Sequence, residues 1–408
     1  MSGEWPRARI LYTGSLREGQ TCRSRMEALQ DSGHEVIGLD VEPYFAAVPR
    51  VVRAAEYRLF VGPGVLRYNR ALVGLARRYR PDVVWIDKGV FVYPRTLRSL
   101  REDGAPVLVH YNTDDILNPR NPFRLVHKTL GFYDLQFTTN HANFREMTAL
   151  GVQQVRLSAV RYDHRIFGSR EFRPEELEPY RSDAVFVGHW EETTEATILA
   201  LIEAGILVRV WGENWHKARA KRRLQGHVMF HPVWLDDYVR ALRATKVALC
   251  FLSKWNRNTA ACRSFEIPAV GAFLLAERTD EHQQCYEEGV EAEFFSDTAE
   301  LIEKARYYIA RDEERQAIAR RGHERCLRSG YSYREQMRRD WQHVDVLALK
   351  SGVERPAIPR VARHRPRPAS VLYTGSLWPG QTCRSRMEAL QDAGHEVISL
   401  DVETYFAS

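Results

Sequence analysis

The chain has 408 residues, 44% of them hydrophobic and 27% charged, and carries a formal net charge of +6 at pH 7. Those values exclude a disordered, fibrous or collagen-like chain and leave room for two domains of ordinary size, each with its own core. There is no run of about 18 apolar residues, and the opening "MSGEWPRARILY" lacks the apolar centre of a secretory signal, so the expected location is the cytoplasm.

The first element expected is a strand at Ile10 to Tyr12, followed by a polar loop with Gly14 and Gly19, a helix around Met26 and Leu29, and a strand in "HEVIGLDV". Strands continue at "PDVVWIDKG" (Pro81 to Gly89), "PVLVHYN" (Pro106 to Asn112), "DLQFTTN" (Asp134 to Asn140) and "VRLSAV" (Val155 to Val160), with helices between them. Strands alternating with helices specify parallel β/α units. After the polar stretch Arg161 to Arg181 the rhythm restarts with "DAVFVGHW" (Asp183 to Trp190), "LVRVWG" (Leu207 to Gly212), "HVMFH" (His227 to His231), "VALCFL" (Val247 to Leu252) and "AFLLAE" (Ala272 to Glu277). Periodicity from Ala299 to Lys350 is helical, interrupted at Gly330 and "YSY". The 6 cysteines are scattered with no C-x-x-C pair, a pattern of free thiols.

The stretch "RSFEIPAVGAFLLAE" (Arg263 to Glu277) concentrates the chemistry. Arg263 and Glu266 are three residues apart, so on one helical turn they share a face. An arginine there can clamp a phosphate, and a carboxylate can accept both vicinal hydroxyls of a ribose. An ordinary surface ion pair at a helix start is the competing account. In the first half, "VLVHYNTDD" brings His110, Asn112, Asp114 and Asp115 to the C-terminal edge of a parallel sheet, where open α/β folds bind ligands. His110 or Asp114 could meet a transferred group there, whereas simple capping of the next turn by Asp114 and Asp115 needs no ligand. His227 and His231 lack a carboxylate partner and do not make a metal site. "HKARAKRR" (His216 to Arg223) is read as a solvated basic helix, with no nucleic acid expected. The basic, amphipathic segment Val51 to Arg80 fits either a helix packed on the sheet or one resting peripherally on an anionic membrane.

"RSFEIPAVGAFLLAE", with the following "YEEGVEAEFFSDTAELIEKARYYIARDEERQAIARRGHERCLRSGYSYREQMRR", resembles the C-terminal domain of CgeB-like (spore maturation protein type) glycosyltransferases. Further matches are "YTGSLREGQTCRSRMEALQDSGHEV", "DLQFTTN", "VRYDHRIF" and "DAVFVGHW", so the resemblance runs over about residues 8 to 348. It implies an α/β GT-B fold, two Rossmann-like domains facing a cleft, at 8–160 (acceptor side) and 181–330 (nucleotide-sugar side). Residues 331–350 would form a helix returning to the first domain. The implied activity is hexosyl-type transfer from a nucleotide-diphosphate sugar to a glycan, lipid-linked or protein acceptor, retaining and metal-independent, with no cofactor beyond the donor itself. Glu266 matches the family's ribose-binding glutamate. The first glutamate of the wider group's Glu-x7-Glu pattern falls at Asn258, and a phosphate-binding arginine position falls at His189. Diphosphate charge then passes to Arg263, Lys254 or Arg257. Gly14 belongs to the loop Gly14 to Arg23 that should border the cleft. A sugar-nucleotide epimerase on the same fold, or a noncatalytic carbohydrate or nucleic-acid binding protein, are the alternatives.

The opening stretch recurs almost unchanged from Val371 as "VLYTGSLWPGQTCRSRMEALQDAGHEVISLDVETYFA". The reading is a tandem duplication: a Pro/Arg-rich linker at 351–369 precedes a truncated copy, 370–408, of residues 9–47. Such a unit could exchange with its counterpart in a second molecule, giving a homo-oligomer, or remain a partly ordered tail.

Overall fold

A computed structural model describes residues 7–104, 106–119, 123–168, 171–350, 370–375 and 396–401, with Met387 and Gln391. The first sheet comprises β1 (Arg9–Gly14), β2 (Glu35–Asp40), β3 (Val83–Asp87), β4 (Val107–Asn112), β5 (Leu135–Thr138) and β6 (Val155–Leu157), in the order β2-β1-β3-β4-β5-β6. A second sheet holds β7 (Ser182–Val187), β8 (Val208–Trp211), β9 (Thr245–Cys250), β10 (Leu274–Glu277) and β11 (Glu293–Phe295), in the order β11-β10-β9-β7-β8. The strand pairings within both sheets are parallel. Both lie in one compact unit, Met1–Val353.

Parallel sheets need cover on both faces, and the side-chain alternation supplies it. In β1, Ile10 and Tyr12 point to a core that includes Trp85, Tyr111 and Phe137, while Leu11 points to the opposite core with Val84, Ile86 and Leu108. The second face is covered by the helix Pro63–Tyr79 through Val65, Tyr68 and Leu72. Covering the first face requires a distant segment: Tyr333, Met337, Trp341 and Val344 of the helix Tyr333–Lys350 pack there beside Ala28 and Leu29.

Two departures from the sequence reading have local causes. No strand forms at His227–His231. The Leu224 carbonyl takes both the His227 and Val228 amides at 3.0 Å, and Phe230 adopts φ 57°, which turns the chain. A single bridge, Val210 to Val228, is what remains of pairing there. The short edge strand β11 has three residues, too few for a period-two pattern to register.

At the centre of the first unit lies an ion pair with no solvent exposure on either side chain. Arg25 donates from Nε to Asp87 Oδ2 at 2.8 Å and from Nη2 to Oδ1 at 3.0 Å, a bidentate fork. Arg25 Nη1 reaches Tyr333 Oη at 3.2 Å, and its guanidinium stands 4.6 Å over the Tyr111 ring. Tyr12 Oη also donates to Asp87. Gly14 sits just beyond, where an added Cβ would come within 3.2 Å of both Asp87 Cβ and Cys22 Cβ, so the small residue lets β1 end against the pair.

Residues Glu354–Ser408 form another unit, in which β12 (Ser370–Gly375) and β13 (Glu396–Asp401) pair in parallel from Ser370↔Glu396 to Gly375↔Asp401. That is the register of Arg9↔Glu35 to Gly14↔Asp40 in the first copy. The linker 351–369 and most of the copy's loop and helix lie outside the described residues.

Replacing Asp87 by Ala strands a fully buried guanidinium, so urea denaturation should show a loss of about 3–5 kcal/mol. Replacing both partners, Arg25→Met with Asp87→Leu, should recover much of that loss, since two apolar side chains leave no uncompensated charge.

Candidate functional site

The strand order reverses between β1 and β3 in the first sheet and between β7 and β9 in the second. Crevices open at the C-terminal ends of strands at such switch points. A cleft of about 380 Å³ lies there, walled by Gly19, Gln20, Thr21 and Ser24 after β1 and by Gly188, His189 and Gly212 after β7 and β8. Asp163, Ile166 and Phe167, from the segment crossing between the halves, also line it, as do Cys262 and Tyr333. The second-half wall depends on a glycine pair: a Cβ on Gly212 would lie 1.8 Å from the Gly188 carbonyl oxygen.

Arg263 and Glu266 both line this cleft. They belong to the helix Arg263–Ala269, which contains Pro268 and ends as the Gly271 amide bonds the Pro268 carbonyl at 2.9 Å. The helix start is pinned from below by a buried relay. His282 Nδ1 donates to the Glu277 carbonyl at 2.7 Å, so its Nε2 accepts from Ser264 Oγ, also at 2.7 Å. Burial lowers the His282 pKa and keeps the ring neutral in that role.

Glu266 is 9% exposed, and Tyr238 Oη donates to its Oε2 at 2.7 Å. Burial pushes its pKa up to about 7, against the opposing effects of the Tyr238 hydrogen bond and the Arg263 charge. The nearby Asp163 carboxylate adds to the rise. Arg263 is half-buried; its Nη2 donates to the Phe251 carbonyl at 2.9 Å and its guanidinium lies 5.1 Å over the Phe186 ring. Its Nε is buried with no hydrogen-bond partner among the described residues. The site thus presents an oriented carboxylate and an incompletely satisfied guanidinium on one wall, with the exposed His189 beside them.

The other residues singled out in the sequence are placed elsewhere. Lys254 pairs with Glu277. Arg257 crosses to the first half, donating to Asp115 and, at 2.8 and 3.0 Å, to Glu146. Asn258 closes its own loop through its amide to the Ser253 carbonyl at 3.2 Å. None of the three lines the cleft, and neither do His110, Asp114 or Gly14. His110 is buried, with Nε2 donating to the Lys88 carbonyl at 3.2 Å and its ring stacked 4.7 Å from Tyr133. Burial lowers its pKa. Asp114 pairs with Lys88 Nζ at 3.0 Å, and Asp115 Oδ1 accepts the Asn118 amide at 3.1 Å, which caps the turn. His227 and His231 each face a backbone carbonyl, Val208 and Pro232.

Sequence reasoning did not single out Tyr238, Asp163 or Tyr333. Each sits far along the chain from the helix it serves, although Asp163 and Tyr333 lie within stretches matched to the resembled family, "VRYDHRIF" and "SGYSYREQMRR". The polar loop after β9 proves to be a clasp between the halves. Besides Arg257, the Asp115 amide donates to Asn256 Oδ1 at 3.3 Å, and Asn118 Nδ2 donates to the Trp255 carbonyl at 2.8 Å.

A family model described as glycosyl transferase-like matches residues 193–339, the span that carries Glu266 and Arg263. No curated protein matches the sequence. Among solved structures, sucrose-phosphate synthase from Thermosynechococcus elongatus superposes with a TM-score of 0.61 at 13% identity, covering 84% of this chain and 100% of that one. HepE from Anabaena, in complex with UDP and glucose, gives a TM-score of 0.55 at 11% identity over 83% of this chain and 100% of its own. A glycosyltransferase from Rickettsia africae gives 0.56 at 12% identity, over 84% and 99%. At such identities the likeness is one of fold: two parallel α/β sheets facing a cleft, as in GT-B glycosyltransferases.

Arg257→Ala removes the guanidinium fork from the fully buried Asp115 side chain. Amide exchange at Ile116 to Asn118 and in the helix His141–Ala149 should speed up as though opening were easier by about 2–3 kcal/mol. Arg257→Lys should restore little, because a lysine cannot reproduce the two-carboxylate fork.

Proposed function

We propose that the protein is a glycosyltransferase of the CgeB-like type, transferring a sugar, in the hexosyl class, from a nucleotide-diphosphate donor to a glycan, lipid-linked or protein acceptor. The observation that carries the reading is the pairing of Glu266 and Arg263 on one turn facing the interdomain cleft. The glycosyl transferase-like match over that span supports it, as does the UDP and glucose named for the HepE complex of the same fold.

In this reading Glu266 accepts hydrogen bonds from the ribose hydroxyls, with Tyr238 holding one carboxylate oxygen in place. Arg263 offers the donor groups for the diphosphate, and His189 stands next to it. Negative charge developing on the leaving diphosphate is then met by preorganised side chains, an arrangement that needs no metal. The wall Gly19 to Ser24 and Asp163 face the acceptor. Closing the halves excludes water and favours transfer over hydrolysis. Retention at the anomeric carbon is the stereochemical course proposed, in keeping with the resemblance of the second half.

The first test is thermal stabilisation by UDP, GDP, ADP and TDP and their sugars. A ligand at about 100 times its Kd should add roughly 2.7 kcal/mol to the wild type and nothing comparable to Glu266→Ala. If no nucleotide series does so, the donor site is not where we propose.

The Glu266 pKa near 7 adds a pH signature. A protonated carboxyl loses acceptor capacity, so donor affinity should rise with pH and level off above about pH 8. Stability runs the other way. The folded-state pKa lies above the unfolded one, so the contribution is fully present below the unfolded pKa and is lost as pH rises through about 7. Glu266→Gln should flatten both profiles, as calorimetry and denaturation across that range would reveal.

A further inference from the structure

The segment Val51 to Arg80 resolves into two helices of opposite character. Pro63–Tyr79 is a core helix, whereas in Arg50–Leu59 the residue that is buried is the acidic one, Glu56. Glu56 turns inward to accept the Gly64 amide at 2.6 Å. Apolar residues at both ends of that helix point outward: Val51 is 82% exposed and Leu59 65%, with Val61 just beyond at 54%. Val51, Ala55 and Leu59 follow one another at intervals of four, so they form a single stripe, and Ala55 is exposed as well.

The stripe runs into a groove of about 910 Å³ lined by Arg58, Leu59 and Val61 on one side and by Arg124 and Lys128 on the other. Among the described residues, no carboxylate lines this groove. Arg58, Arg124 and Lys128 are exposed, and none has a carboxylate partner among the described residues. By contrast, Arg77 and Arg101 are each paired with an aspartate. Among the described residues no helix is long and apolar enough to cross a membrane.

We infer that this face, the outward stripe of the helix Arg50–Leu59 together with the basic groove at its end, docks on the surface of an anionic lipid bilayer. Charge complementarity selects an anionic partner, and the exposed Val51, Leu59 and Val61 select one with an apolar layer beneath its phosphates. A nucleic acid would use the cations but leave those side chains in water. The inference uses no property of the interdomain cleft, so it stands or falls separately from the proposed transfer reaction.

The experiment is sedimentation of the full chain with vesicles of phosphatidylglycerol and phosphatidylcholine, against phosphatidylcholine alone, over a salt series. Binding should require the anionic lipid and weaken with salt. Removing Arg58, Arg124 and Lys128 by substitution with Ala should lower partitioning about fivefold per residue. Val51→Asp with Leu59→Asp should abolish it while leaving the thermal transition unchanged, since both side chains are exposed. Equal binding to both vesicle types would overturn the inference. So would undiminished binding by the Val51→Asp, Leu59→Asp variant, or duplex DNA binding that matches vesicle binding and ignores that variant, because each assigns the face to charge alone.

Discussion

A single buried charge pair organises the first half of the molecule. Arg25 comes from the first helix and Asp87 from the end of β3, so their bidentate contact fixes how β1, the helix and β3 meet. Isolated, either charge would be very costly in so dry a place. The network therefore extends outward to Tyr12, Tyr111 and Tyr333. Tyr333 also lines the cleft, so the same hydrogen-bonded cluster that holds the sheet together sets part of the floor on which a ligand would rest.

The other cations weighed for the diphosphate, and those at the first sheet's edge and core, are each committed to a carboxylate, which sets Arg263 apart from them. Arg257 bridges the halves, Lys254 and Lys88 hold local carboxylates, and Arg25 is locked in the core. Arg263 leans on an aromatic face and a backbone carbonyl and leaves Nε without a partner among the described residues. Opposite charges three residues apart would ordinarily satisfy one another. Here Glu266 is instead bonded by Tyr238, which keeps both groups oriented toward the cleft.

Most of the architecture was legible because parallel strands buried on both faces write themselves as apolar runs, as in "VVWID" and "VALC". The three-residue β11 had no pattern to read, and "HVMFH" looked like a strand because side-chain character carries no record of a left-handed Phe230. For the site, the Arg263 and Glu266 pair was visible because its spacing is local. Tyr238 and Asp163 were not, since their proximity to Glu266 arises only when distant loops converge. Arg257 and Asp115 show the limit of local reading: Asp115 caps its turn as expected, but the fork that joins it to Arg257 across the two halves leaves no local signature.

The helix Tyr333–Lys350 packs on the sheet whose strands end at Leu157. The entire second half is therefore synthesised before the first can close its hydrophobic face. On the ribosome, Trp85, Tyr111 and Phe137 must wait for Trp341 and Val344, and Arg25 must wait for Tyr333. The second half, whose own core draws on residues up to Tyr331, completes its interior at nearly the same point of synthesis. Maturation of the two halves is thus tied to one shared stretch of chain, which exposes the nascent first sheet to chaperones or to wrong partners while the second half is made.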